Sequence, residues 1–151
     1  EYFDNGKLKF EGIYKNGERN GYGKEYSYDN GKIKFEGEYK NGKRYGKVKE
    51  YFVFGILKFE GEYIKGKKYG YGKEYSEEGK LKFEGEYIKG KRNGYGKEYS
   101  DDGKLIFEGV YKNGEKIRNW KFYSIQIILF FSLLSVIIIS YLIGISIIDM
   151  N

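Results

Sequence analysis

Apolar and polar residues alternate with a period of two over most of this chain. Leu81, Phe83, Gly85 and Tyr87 fall on one side of such a stretch, and Lys80, Lys82, Glu84 and Glu86 on the other. That pattern predicts a β-strand with one packed face, and no helical period fits it. Ile33, Phe35, Gly37 and Tyr39 build the same face, as do Leu105, Phe107, Gly109 and Tyr111. A glycine inside a strand weakens it unless something needs the space. Its recurrence here predicts an aromatic ring lying across the bare backbone.

Turn signals bound every strand. Asn16-Gly17, Asn41-Gly42 and Asn113-Gly114 predict two-residue hairpin turns, because a type I′ turn needs positive φ at both central residues. Lys65-Gly66 and Lys89-Gly90 stand in the same place with a less suitable first residue. Asp29-Asn30-Gly31, Glu77-Glu78-Gly79 and Asp101-Asp102-Gly103 predict the connection at the other end. The elements repeat. Phe10, Phe35, Phe59, Phe83 and Phe107 recur at spacings of 25, 24, 24 and 24 residues, the mark of a repeat array. Glu1-Tyr2 reads as the tail of a preceding repeat, so the sequence is expected to continue a longer array. The second repeat is irregular: Phe52-Val53-Phe54-Gly55-Ile56 replaces the acidic turn, predicting a kink or an apolar contact there.

The blocks Phe35-Glu36-Gly37-Glu38-Tyr39, Asn41-Gly42-Lys43-Arg44 and Gly94-Tyr95-Gly96-Lys97-Glu98-Tyr99 resemble the MORN repeat. The resemblance covers roughly residues 1 to 123 and about five repeats. It implies an elongated, single-layer, twisted antiparallel β-meander of 24-residue hairpins. Phe or Tyr replaces the Trp common in that family, and the Gly-Lys-Leu-Lys segment (Gly79 to Lys82) is similar to a bacterial variant of the repeat, often described as antitoxin-like.

Beyond the repeats the pattern changes character. Residues 122–148 hold 27 positions without one charge, followed by a tail at 149–151. A helix of that length would rise ~40 Å, against a hydrocarbon core of ~30 Å. The expected organisation is therefore a β-array over 1–121 and one C-terminal transmembrane α-helix over 122–148. Trp120, Phe122 and Tyr123 would form its aromatic belt, with Lys116, Arg118 and Lys121 just outside. Basic residues flank only its N-terminal side, which predicts a single-pass membrane protein with cytoplasmic repeats.

Composition narrows the chemistry. There is no Cys and no His among 151 residues, which removes disulfides, thiolate ligands and the commonest general base. No nucleophile–base pair and no glycine-rich phosphate loop appears, and every polar residue recurs. Acidic pairs such as Asp101-Asp102 precede a turn glycine, where backbone geometry accounts for them. The chain is thus expected to be no enzyme, without catalytic residues, metal or cofactor. Ahead of the apolar run stand 28 basic and 21 acidic residues, since Asp149 is the only ionisable group after it.

The three middle hairpin turns carry a basic pair, Lys43-Arg44, Lys67-Lys68 and Lys91-Arg92, diluted in the first and last to Glu18-Arg19 and Glu115-Lys116. Equivalent turns in such a meander lie about 10 Å apart, which predicts a positive ladder along one edge. One reading is attraction to anionic phospholipid headgroups. The plainer one is edge solubility, the same residues balancing Glu36, Glu60 and Glu84 across strands. The Tyr and Phe rows are read first as the sheet's own cohesion, and second as a platform for an unidentified protein partner. The pairs are too sparse for nucleic acid to be expected as a partner. An anchored array is similar to the junctophilins, MORN proteins that tether two membranes, although their long helical region is missing here. The resulting expectation is a membrane-anchored scaffold or tether; the alternative is a protein-binding, antitoxin-like or adaptor module that the helix merely localises.

Overall fold

Strict alternation and paired turns leave the chain one economical solution, in which each strand hydrogen-bonds to the strands on either side of it in sequence. The computed structural model describes residues 1–117, 128–135 and 137–139. Ten strands follow one another: β1 (Phe10–Lys15), β2 (Glu18–Tyr26), β3 (Ile33–Lys40), β4 (Lys43–Tyr51), β5 (Leu57–Ile64), β6 (Lys67–Tyr75), β7 (Leu81–Ile88), β8 (Lys91–Tyr99), β9 (Leu105–Lys112) and β10 (Glu115–Ile117). They form one ten-stranded sheet in sequence order, with antiparallel pairing throughout β1 to β9. The all-β meander predicted from the repeats is therefore correct. The sheet, Glu1–Lys116, is a compact unit of its own.

All five tight turns take positive φ at both central residues, including Lys65 and Lys89 at 52°. Tertiary pairing thus imposes on two lysines the conformation that Asn and Gly adopt readily. At the opposite ends the wider connections share one hydrogen-bonded form. Ser76 N–H donates to Lys80 O at 2.8 Å, and Ser100 N–H to Lys104 O at 2.9 Å. The irregular connection matches them, with Phe52 N–H donating to Ile56 O at 2.8 Å. No kink is needed there; Val53 and Phe54 are exposed at its tip.

The core is a single aromatic row. Phe10, Phe35, Phe59 and Phe83 are buried, with Tyr39, Tyr63, Tyr87 and Tyr111 between them and Val48 alongside. Each ring meets the next edge to face, as in Phe59 to Tyr63 at 6.0 Å and Phe59 to Tyr87 at 5.6 Å, the arrangement ring quadrupoles favour. The strand glycines make room for it. A Cβ on Gly72 would fall 2.7 Å from Cζ of Phe59, and one on Gly96 2.7 Å from Cζ of Phe83. Across the second hairpin Val48 faces Gly37 instead and occupies that space itself.

The apolar segment requires a correction. The helical residues described are 128–135 and 137–139, a rise of only ~18 Å where ~30 Å is needed. Among the described residues no helix is long and apolar enough to cross a membrane. The expected transmembrane helix over 122–148 is overturned, and the single-pass placement with cytoplasmic repeats falls with it. Arg118, Trp120, Lys121, Phe122 and Tyr123, expected at the membrane interface, lie outside the described residues. Lys116 is described, and its ammonium pairs with Glu98 and sits 5.0 Å from the centre of the Phe107 ring.

Candidate functional site

Register determines where every charge on this sheet goes. A two-residue turn at Asn41-Gly42 sets Lys40 opposite Lys43, and hence Tyr39 opposite Arg44. Residues directly opposed in an antiparallel pair point to the same face. Arg44 therefore shares the aromatic face with Tyr39, and by the same rule Arg19 sits with Tyr14, Lys68 with Tyr63 and Arg92 with Tyr87. The predicted basic pairs are split by this geometry. Their second members fold over the core, while Lys43, Lys67 and Lys91 remain exposed.

The folded-over cations are tightly engaged. The guanidinium carbons of Arg19, Arg44 and Arg92 lie 3.9, 3.9 and 4.0 Å from the ring centres of Phe10, Phe35 and Phe83, and Lys68 Nζ lies 4.0 Å from that of Phe59. Carboxylates further along the same strand and on the strand two places back clamp them. Arg44 reaches Glu25 at 2.8 Å and Glu50 at 3.2 Å, and Arg92 reaches Glu74 at 2.5 Å and Glu98 at 2.6 Å. Tyr39 and Tyr63 donate their hydroxyls to Glu25 and Glu50, each at 2.7 Å. Burial pushes the Glu25 and Glu74 carboxyls up, but the hydrogen bonds and positive charges around them, led by those of Arg44 and Arg92, together outweigh it and hold both below the usual carboxylate range. The equivalent hydroxyls of Tyr87 and Tyr111 are buried without a hydrogen bond of regular geometry. Burial first, and then Glu74 and Glu98 beside them, raises their pKa. The carboxylates Glu25, Glu50, Glu74 and Glu98 escaped the sequence reading, although each stands opposite a core phenylalanine in the register the turns impose.

The opposite face carries a second system. Its central positions pair as Glu11–Lys24–Glu36–Lys49–Glu60–Lys73–Glu84–Lys97–Glu108, alternating in charge across nine strands. Glu36, Glu60 and Glu84 are thus balanced by strand lysines rather than by the turn pairs. Tyrosines bracket the carboxylates. Glu36 accepts from Tyr51 at 2.6 Å through Oε1 and from Tyr22 at 3.1 Å through Oε2. Glu84 accepts from Tyr99 at 2.7 Å through Oε1 and from Tyr71 at 2.8 Å through Oε2. These donors lower both carboxyl pKa values, Tyr51 and Tyr99 contributing most.

The hairpin edge is the third feature. Lys40, Lys43, Lys65, Lys67, Lys89 and Lys91 are all exposed there, and none makes an ion pair within 4 Å among the described residues. Successive tips are tied together: Gly66 N–H donates to Arg44 O at 2.9 Å and Gly90 N–H to Lys68 O at 2.9 Å. At the other edge the acidic turns are partly neutralised, as by Lys82 with Asp101 at 2.6 Å. Among the described residues no group of three acidic side chains converges to hold a metal ion.

Two sequence families describe this chain. The MORN repeat matches residues 10–32, 35–47 and 83–104, and the MORN repeat variant matches residues 1–16 and 68–89. The irregular segment around Phe52–Ile56 lies outside both. No curated protein matches the chain. MORN repeats are in general protein- or membrane-binding modules.

Proposed function

Because the chain belongs to the MORN repeat family, we propose that it is a non-enzymatic binding scaffold whose lysine edge engages anionic phospholipid headgroups. The observation that carries this reading is the row of six exposed lysines without carboxylate partners, held in line by hydrogen bonds between successive turns. Attraction to an anionic surface contributes ~1 kcal/mol per basic residue close to it. Six such residues on a rigid edge give useful affinity without the ordering cost of a flexible tail. Arg44, Lys68 and Arg92 serve the fold in this scheme, since each is already committed to a ring and a carboxylate.

The test is co-sedimentation of the sheet, residues 1–117, with neutral and phosphoinositide-containing vesicles at two salt concentrations. Binding should require the anionic lipid and weaken with salt. Replacing Lys40, Lys43, Lys65, Lys67, Lys89 and Lys91 by Ser should abolish it without lowering Tm. Salt-insensitive binding, or binding that survives the six replacements, refutes the proposal.

A further inference from the structure

Among the described residues, the row of tyrosines on the charged face has one interruption between β2 and β8. Tyr22, Tyr71 and Tyr95 stand at the same place in their repeats, each donating its hydroxyl to the glutamate on the next strand, Glu36, Glu84 and Glu108. In β4 that place is taken by Lys47, opposite Glu62. The backbone there matches that of the next repeat, which does carry a tyrosine: Gly46 has φ 64° before Lys47 and Gly70 has φ 66° before Tyr71. Lys47 does not stand in for the missing ring, since it makes no ion pair within 4 Å among the described residues.

Two consequences follow at the same spot. An open groove of about 590 Å³ runs between Tyr22 and Tyr71, floored by Gly37, Gly61 and Gly72. Glu60, which lines it, accepts from Tyr75 through Oε1 at 2.7 Å, whereas Oε2 has no donor among the described residues. Glu36 and Glu84 use both oxygens. The neighbouring repeats therefore show what this place is shaped to hold.

We propose that the groove at Lys47 binds a tyrosine side chain presented by a partner polypeptide, whose hydroxyl donates to Oε2 of Glu60. A ring there would complete the tyrosine row between the half-exposed rings of Tyr22 and Tyr71. The groove is too open to enclose a small phenol. A polypeptide, in contrast, extends past the ring and places its flanking groups against Lys47, Lys49 and Lys73 on one hand and Glu36 and Glu62 on the other. This site lies on the sheet's charged face, so it stands or falls independently of the lysine edge.

The experiment maps backbone amide shifts of the full chain by NMR during titration with N-acetyl-tyrosinamide, N-acetyl-phenylalaninamide and p-cresol. The tyrosine amide should give saturable shifts at Gly61 and Gly72. The phenylalanine amide, lacking the hydroxyl, should bind about tenfold more weakly. Glu60→Gln should weaken the tyrosine amide selectively. Lys47→Tyr, which fills the groove from within, should abolish the response and raise Tm by about 2–4 °C. No saturable shift, an equal response to phenylalanine, a response that persists in Lys47→Tyr, or a lowered Tm for that variant overturns the proposal. Binding of p-cresol as tight as the tyrosine amide also overturns it, in favour of a free phenol.

Discussion

The guanidinium carbon of Arg44 lies 3.9 Å from the centre of the Phe35 ring, and the same group holds Glu25 of β2 and Glu50 of its own strand β4. A single-layer sheet has no second sheet to cover its aromatic row, so long cationic side chains form the lid. Their stems shield the rings, and their charges are met by carboxylates already placed opposite the phenylalanines.

This arrangement separates the two members of each basic pair by function. Arg44→Ala should destabilise the sheet by about 1.5–3 kcal/mol, because it uncovers Phe35 and deprives two half-buried carboxylates of a shared cationic partner. Lys43→Ala, on the exposed edge, should change stability by less than about 0.5 kcal/mol. Urea denaturation of the two variants distinguishes them, and equal effects would contradict the lid.

Gly72→Ala should cost about 1–3 kcal/mol through overpacking against Phe59 rather than backbone strain. Phe59→Leu in the same molecule should recover part of that loss. A double-mutant cycle followed by thermal denaturation measures the coupling, which should be absent if the glycine serves only flexibility.

Lys65→Asn and Lys89→Asn should each stabilise the sheet by about 0.5 kcal/mol, since Asn tolerates the left-handed backbone better than Lys. Asn16, Asn41 and Asn113 already occupy the equivalent positions at φ 50–54°. A rise in Tm for each, roughly additive in the double variant, is the expected result.

Stability should be flat near neutral pH and fall at both extremes. Glu25, Glu36, Glu74, Glu84 and Glu98 have folded-state pKa values below their usual range. Their contribution is present above the unfolded carboxylate pKa and is lost as pH falls through the folded value. The hydrogen-bonded tyrosines behave in the opposite sense. Burial and the Glu60 carboxylate push Tyr75 up to about 12, and burial and Glu84 do the same for Tyr71. Their contribution is intact below the ordinary tyrosine pKa of 10.0 and disappears as pH rises towards about 12. Thermal melts across the pH range should show both shoulders, and Glu84→Gln should blunt them.

The strands, the turns and the order of pairing follow from the amino-acid pattern alone. Alternation with a period of two has one structural meaning, Asn-Gly has nearly one, and each repeat can bury its ring only against its neighbours. The site was legible only in part. Lys43, Lys67 and Lys91 were identified as an exposed edge, but Arg44, Lys68 and Arg92 were grouped with them because adjacency along a chain says nothing of facing. Counting outward from the two-residue turn would have placed them on the aromatic side, opposite Tyr39, Tyr63 and Tyr87. Folding is needed to bring side chains from different strands together: Arg44 on Phe35, two tyrosines on Glu36, and one tyrosine too few on Glu60. The apolar segment shows the same division. Hydropathy registers composition, whereas crossing a membrane needs an unbroken helical length, and the described helix falls short of it. Local pattern selects an element and its face; distance, register and continuous length are properties of the assembled chain.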